Sequence, residues 1–219
     1  MTWVKICGMT NLEDALVAVE AGADAVGFVF HQKSPRNISV EAAREIVEKL
    51  PESVEKVGVF VNESPERVSA IANEVGLSAV QFHGDEYRNS KMYATDRKAF
   101  LCIPAEWIAM TWKERGKALG SFMALPGNLG GIMLDSGTAS QRGGTGKPFD
   151  WREAKTWVSL MTQLYPVVLA GGLNPDNVSK AIGILKPWGV DVVSGVEARP
   201  GKKDPEKVRE FVRAVRGAG

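Results

Sequence analysis

WVKIC (3–7), DALVAVEAG (14–22), AVGFVF (25–30) and VEAAREIVEKL (40–50) follow one another at the start of the chain, and their alternation decides the fold. A short β-branched run, an amphipathic run with apolar residues three and four apart, and then the same again is the pattern of βαβ units. The pattern continues through KVGVFV (56–61), a helix over 65–75, AVQFH (79–83), a polar helix near 86–95, FLCI (100–103) and a helix near 105–118. GIMLD (131–135), a helix after Asp150, VVLA (167–170), a helix over 175–185, VDVVS (190–194) and a helix over 205–216 complete eight strands and eight helices. Dividing 219 residues by eight gives about 27 per unit, close to the minimum for a strand, a helix and two short loops in a (β/α)8 barrel. The expectation is α/β, a single (β/α)8 TIM barrel spanning 1–219 as one domain. A doubly wound open sheet uses the same alternation, but no GxGxxG follows the first strand. Asn11 and Ser39 are placed as N-caps, and Pro65, Pro175 and Pro205 as first-turn prolines. The stretch 104–130, with Trp107, Trp112 and PGNLGG, is the least patterned and suggests no chemistry.

Composition narrows the function classes. With 44% hydrophobic residues, 24% charged residues and a formal charge of +1, the chain has no electrostatic case for a nucleic-acid or membrane partner. It has no basic segment leading into an apolar run at its start, and nothing approaching the roughly 18 apolar residues of a spanning helix. A cytoplasmic location is expected. Cys7 and Cys102 form neither a disulfide framework nor a CxxC pair, and His31 and His83 are the only histidines, so no metal site is expected.

In a (β/α)8 enzyme the chemistry lies at the carboxyl ends of the strands and on the following loops. Cys7 ends the first strand, HQKSPRN follows the second, and Gln81 and His83 end the fourth. Asp135 ends the sixth, AGGLNP follows the seventh and SGVE the eighth, so ionisable and glycine-rich residues gather at one rim. Gly171-Gly172 and Ser194-Gly195 expose backbone N–H groups in the pair of turns where such barrels hold phosphate, although glycines also serve tight turns. GGTGK (143–147) is not a phosphate-binding Walker loop, because Gln141 and Pro148 stand where Gly and Ser or Thr are required. A flexible loop closing over substrate suits Gly143, Gly144 and Gly146 better. Arg36 behind Pro35 can offer a fork to a planar carboxylate, or be a solvated surface residue. Period two along the fourth strand puts Gln81 and His83 on one face, where His83 either points into the mouth or is a satisfied core histidine. For Cys7, a buried inert thiol is the plain alternative to a reactive one.

Taken together, KICGMT, SPRNIS, VQFHGDE, LDSG with GGTGKPFDW, LAGGLNPDNV and SGVEARPGKKD resemble the phosphoribosylanthranilate isomerase family of tryptophan biosynthesis. The likeness runs in order from residue 3 to about 204. It departs at Val193, where the family commonly has a serine, and at 104–130, which is longer than usual. The resemblance implies an Amadori rearrangement of an aminoaldose phosphate without metal or cofactor, by a monomer or homodimer. It assigns Asp135 as general acid and Cys7 as general base. Arg36 then meets the anthranilate carboxylate, Gly171, Gly172, Ser194 and Gly195 hold phosphate, and His83 belongs to the substrate site without a chemical step.

Two rival readings remain. The histidine-pathway aminoaldose isomerase on the same barrel is expected to carry Asp at the end of strand one, where this chain has Cys7. A non-catalytic phosphate-binding protein needs the glycine turns but not both Cys7 and Asp135. The implied chemistry also needs a protonated Asp and a proton-accepting Cys. Ordinary values near 3.9 and 8.5 put the shared proton on sulfur, a gap of roughly 6 kcal/mol. The site is therefore expected either to invert that order at least in part or to react through a rare microstate.

Overall fold

Near-continuous apolar strands such as AVGFV and KVGVFV need cover on both faces, which a parallel sheet wrapped by helices provides. The computed structural model, which describes residues 1–83, 96–105, 129–136 and 149–218, closes that sheet into a barrel. Its strands are β1 (Trp3–Cys7), β2 (Ala25–Val29), β3 (Glu55–Val61), β4 (Ala79–His83), β5 (Lys98–Pro104), β6 (Leu129–Asp135), β7 (Val167–Leu169) and β8 (Gly189–Val192). Each pairs in parallel with the next, and β8 pairs back onto β1. The eight-stranded barrel expected from the sequence is present, and no strand end moves by more than two residues.

The described helices are α1 (Leu12–Glu20), α2 (Val40–Val47), α3 (Pro65–Val75), α4 (Trp151–Met161), α5 (Val178–Leu185) and α6 (Pro205–Arg216). None of them is long and apolar enough to cross a membrane. Asn11 and Ser39 cap as expected, accepting hydrogen bonds from the backbone N–H groups of Asp14 and Ala42. The helices expected near 86–95 and 105–118 and the glycine loop at 143–147 lie outside the described residues.

Two local expectations need correction. Pro175 does not open α5. Asn174 accepts from the N–H groups of Asp176 and Asn177 while Asn177 Oδ1 accepts from Asn174 N, so 174–177 is a side-chain-tied turn and the helix starts at Val178. The segment EARPGKK, to which the sequence reading assigns no element, is an antiparallel hairpin of β9 (Glu197–Arg199) and β10 (Lys202–Lys203).

Period two sorts the strand residues between two cores. Val4 and Ile6 face outward and pack with Ala15, Ala18 and Phe211 of the helices. Ala25, Val57, Ala79, Phe100, Cys102 and Met133 fill the interior. Trp3 stacks on Phe100 and Trp188 at 5.4 and 5.1 Å and plugs the amino end of the barrel. The space left inside therefore opens at the carboxyl ends of the strands.

Candidate active site

Cys7 is the last residue of β1, faces the interior and is 3% exposed. Its ladder partner on β2 is Gly27, where an added Cβ would lie 2.5 Å from Cys7 Sγ. Only glycine leaves that space for the sulfur. Asp135 ends β6, three strands round the ring, and His83 ends β4. These residues line one cavity of about 290 Å³ together with Arg36, Gly171, Gly172 and Ser194. Its remaining wall includes Val29, Val59 and Val61, so polar groups converge on a partly apolar space. Of the residues predicted from sequence, Gly195 alone does not line it. Its Cα packs against the Leu173 carbonyl and holds the turn after β8 onto the turn after β7.

Gly171 and Gly172 have φ of +80° and +68°, a succession that residues with a side chain rarely adopt. The turn they make is fixed by Asn177, whose side-chain N–H donates to the Gly172 carbonyl at 2.9 Å. It presents main-chain groups to the cavity mouth beside Ser194.

Arg36 differs from expectation in one respect. Its Nε and Nη2 donate to Glu197 Oε1 and Oε2 at 2.9 and 2.7 Å, so that edge of the fork is already committed. The Nη1 side has no hydrogen-bond partner among the described residues, and it is this end that can meet a ligand carboxylate. Glu197 is buried, yet Arg36 and the buried Lys203 ammonium at 3.2 Å outweigh burial and hold its carboxyl below the usual range. Glu197 also accepts from Gly201 N, and Lys203 N donates to the buried Asp14. The β9–β10 hairpin thereby ties Arg36 to the barrel.

Beneath the cavity, Lys5 Nζ donates to Asp191 Oδ1 at 2.6 Å, with side chains 0% and 5% exposed. Burial pushes the Cys7 thiol up. Lys5 and Lys203 pull it back, Asp191 adds to the rise, and the net direction is upward. Burial of Cys7 thus opposes an inverted protonation order. Cys102 is buried in the inner core, and its sulfur is 3.1 Å from both Gln81 Nε2 and His83 Nε2. Gln81 Nε2 and His83 Nε2 are 2.8 Å apart. This triangle fixes the His83 ring at the cavity wall.

Sequence reasoning missed Lys5, Gly27, Asp191, Glu197 and Lys203. Period two along WVKIC and VDVVS could have placed Lys5 beside Cys7 and Asp191 on an inner face. Nothing local pointed to Glu197 or Lys203.

A closed parallel barrel with a thiol, a carboxylate, a guanidinium and two glycine-rich turns around one carboxyl-end cavity defines a (β/α)8-barrel enzyme. A family model described as N-(5′-phosphoribosyl)anthranilate (PRA) isomerase matches residues 4–214. The N-(5′-phosphoribosyl)anthranilate isomerases of Geotalea uraniireducens and Thermotoga maritima are each 46% identical over 99% of this chain and 100% of their own length. The crystal structure of phosphoribosyl anthranilate isomerase from Thermotoga maritima superposes with a TM-score of 0.83 at 42% identity, covering 99% of this chain and 100% of that one. A phosphoribosyl anthranilate isomerase in complex with reduced 1-(o-carboxyphenylamino)-1-deoxyribulose 5-phosphate gives a TM-score of 0.80 at 40% identity with the same coverage. The chain belongs to the N-(5′-phosphoribosyl)anthranilate isomerase family and is an isomerase of tryptophan biosynthesis.

Proposed function

We propose that the protein converts N-(5-phosphoribosyl)anthranilate to 1-(2-carboxyphenylamino)-1-deoxyribulose 5-phosphate, with Asp135 as general acid and Cys7 as general base. The observation that carries this reading is that Cys7 and Asp135, at the ends of β1 and β6, face one cavity of about 290 Å³. Asp135 gives a proton to the furanose ring oxygen, the C1–O bond breaks and a protonated Schiff base forms. Cys7 removes the proton from C2, leaving an enolamine. Protonation at C1 and loss of the O2 proton then give the ketone, so C2 loses one hydrogen, C1 gains one and no external oxidant or reductant is needed. The substrate phosphate is held by the turns at Gly171-Gly172 and Ser194, with Gly195 setting their spacing. The anthranilate carboxylate meets the outer edge of Arg36, and its ring lies along Val29, Val59 and Val61.

The test is turnover of freshly synthesised phosphoribosylanthranilate by the purified protein, followed by loss of anthranilate-type fluorescence and chromatographic identification of the ketose. No acceleration over the spontaneous decay would overturn the proposal. Turnover confined to the histidine-pathway aminoaldose would favour the rival isomerase.

Arg36→Ala is expected to remove a charge-assisted contact of about 1.5–3 kcal/mol, equal to about 10- to 150-fold in kcat/KM. The loss should appear mainly in KM, because the carboxylate does not change charge along the reaction. Steady-state kinetics check this, and an unchanged KM would rule out Arg36 as the carboxylate site.

A further inference from the structure

Lys5 and Cys7 are two residues apart on β1 and both point into the barrel, with Lys5 wholly buried one step below the cavity floor. A fully buried lysine in an enzyme interior is an expensive choice, and the proposed proton transfers do not use its ammonium. Asp191 from β8 grips that ammonium at 2.6 Å and also lines the cavity. We infer that Lys5 is a positioning residue for the reaction: its ammonium, fixed in the barrel interior by Asp191, stabilises the Cys7 thiolate so that the buried sulfur can act as a base. The inference rests on the reading of Cys7 as general base.

Among the described residues, the charged groups facing Cys7 are Lys5 on its own strand, Asp191 on β8, Lys203 on β10 and Arg36 on the loop after β2. Asp135 lies on the cavity wall at β6, and β2 presents only Gly27. Arg36 is committed to Glu197. Lys203 donates to Glu197 and to the Val193 carbonyl, and burial weakens its charged state. Lys5 is the cation whose charge is secured. Burial alone works against it, but Asp191 and the Cys7 sulfur outweigh burial and hold it protonated beyond the ordinary range. It acts on Cys7 through its charge, from two residues away on the same face of β1. A thiolate forming there meets a fixed cation rather than an apolar wall, which is the arrangement a buried base needs.

The test is alkylation of the intact protein with iodoacetamide across pH, with Cys7 and Cys102 resolved by peptide mass spectrometry. In the unaltered protein both thiols are raised by burial, and Cys7 is expected to titrate at a lower pH than Cys102, because it has the fixed Lys5 cation beside it on β1. A Cys7 that titrates no lower than Cys102 would overturn the inference without any variant. The near-isosteric double variant Lys5→Met/Asp191→Asn leaves no unpaired buried charge. It should raise the Cys7 midpoint by about one unit or more and lower kcat about tenfold at neutral pH, with KM within about threefold and partial recovery as pH rises. Lys5→Arg, which keeps the charge, should retain more of kcat than the double variant. A folded double variant with unchanged midpoint and kcat would show the pair to be structural only. Activity remaining in Cys7→Ala would instead defeat the general-base reading, so the two failures are distinct.

Discussion

Cys7→Ala and Asp135→Asn should each lower kcat by about 10²- to 10⁴-fold while KM stays within about threefold, because each removes a group that acts in proton transfer rather than in holding the substrate. The phosphate turns and Arg36 are separate from both side chains and persist in either variant. The two losses should not multiply in the double variant, since an enolamine that cannot form gains nothing from an intact acid. Gly27→Ala supplies an independent check on the geometry. It leaves every ionisable group in place but puts a methyl 2.5 Å from Cys7 Sγ, and displacing the sulfur by about 1 Å is expected to cost about 10²-fold in kcat. Single-turnover fluorescence with saturating substrate separates these effects from binding. Near-wild-type kcat in Cys7→Ala or Asp135→Asn would refute the corresponding role, and near-wild-type kcat in Gly27→Ala would show that the sulfur tolerates displacement.

Lys5→Met alone is expected to destabilise the fold by about 3–5 kcal/mol, since it leaves the Asp191 carboxylate buried without its partner. For a chain of this size that corresponds to a fall in Tm of about 6–20 °C. The double replacement Lys5→Met/Asp191→Asn should recover most of it, because removing both charges also removes the need to compensate either. The pH dependence has a definite sign. Lys5 has a folded pKa above its unfolded value of about 10.4, so its contribution is complete below that pH and is lost only as pH rises through the folded value. Glu197 behaves oppositely. Its pKa is depressed, so its contribution is present above about 4.3 and is lost as pH falls. Denaturation curves at pH 7 and pH 9 should therefore show the same gap between the parent protein and Lys5→Met. A gap below about 1 kcal/mol at both would mean that Asp191 finds another partner.

The strands and most of the helix boundaries were legible because they depend on neighbours a few residues away. Period two in WVKIC and AVQFH, the caps at Asn11 and Ser39 and the proline that opens α3 are local signals, and each element stands where they put it. The α5 start was misread because proline at a first turn and proline inside an asparagine-tied turn look alike until Asn177 is seen bonded back to Asn174. The β9–β10 hairpin escaped because strands of three and two residues are too short to display a period.

What the chain determined by itself is the alternation that closes a barrel and the list of reactive residues at strand ends, since strand geometry alone sends Lys5 and Cys7 to one face. Only the tertiary structure decided what those residues touch. Lys5 meets Asp191 across 186 positions because β8 closes onto β1, and Arg36 meets Glu197 across 161 because the final hairpin folds back over the first strands. Beyond Lys5 on its own strand, the charge environment of Cys7 comes from barrel closure, which brings residues from opposite ends of the chain together inside a low-dielectric interior, where such contacts count most.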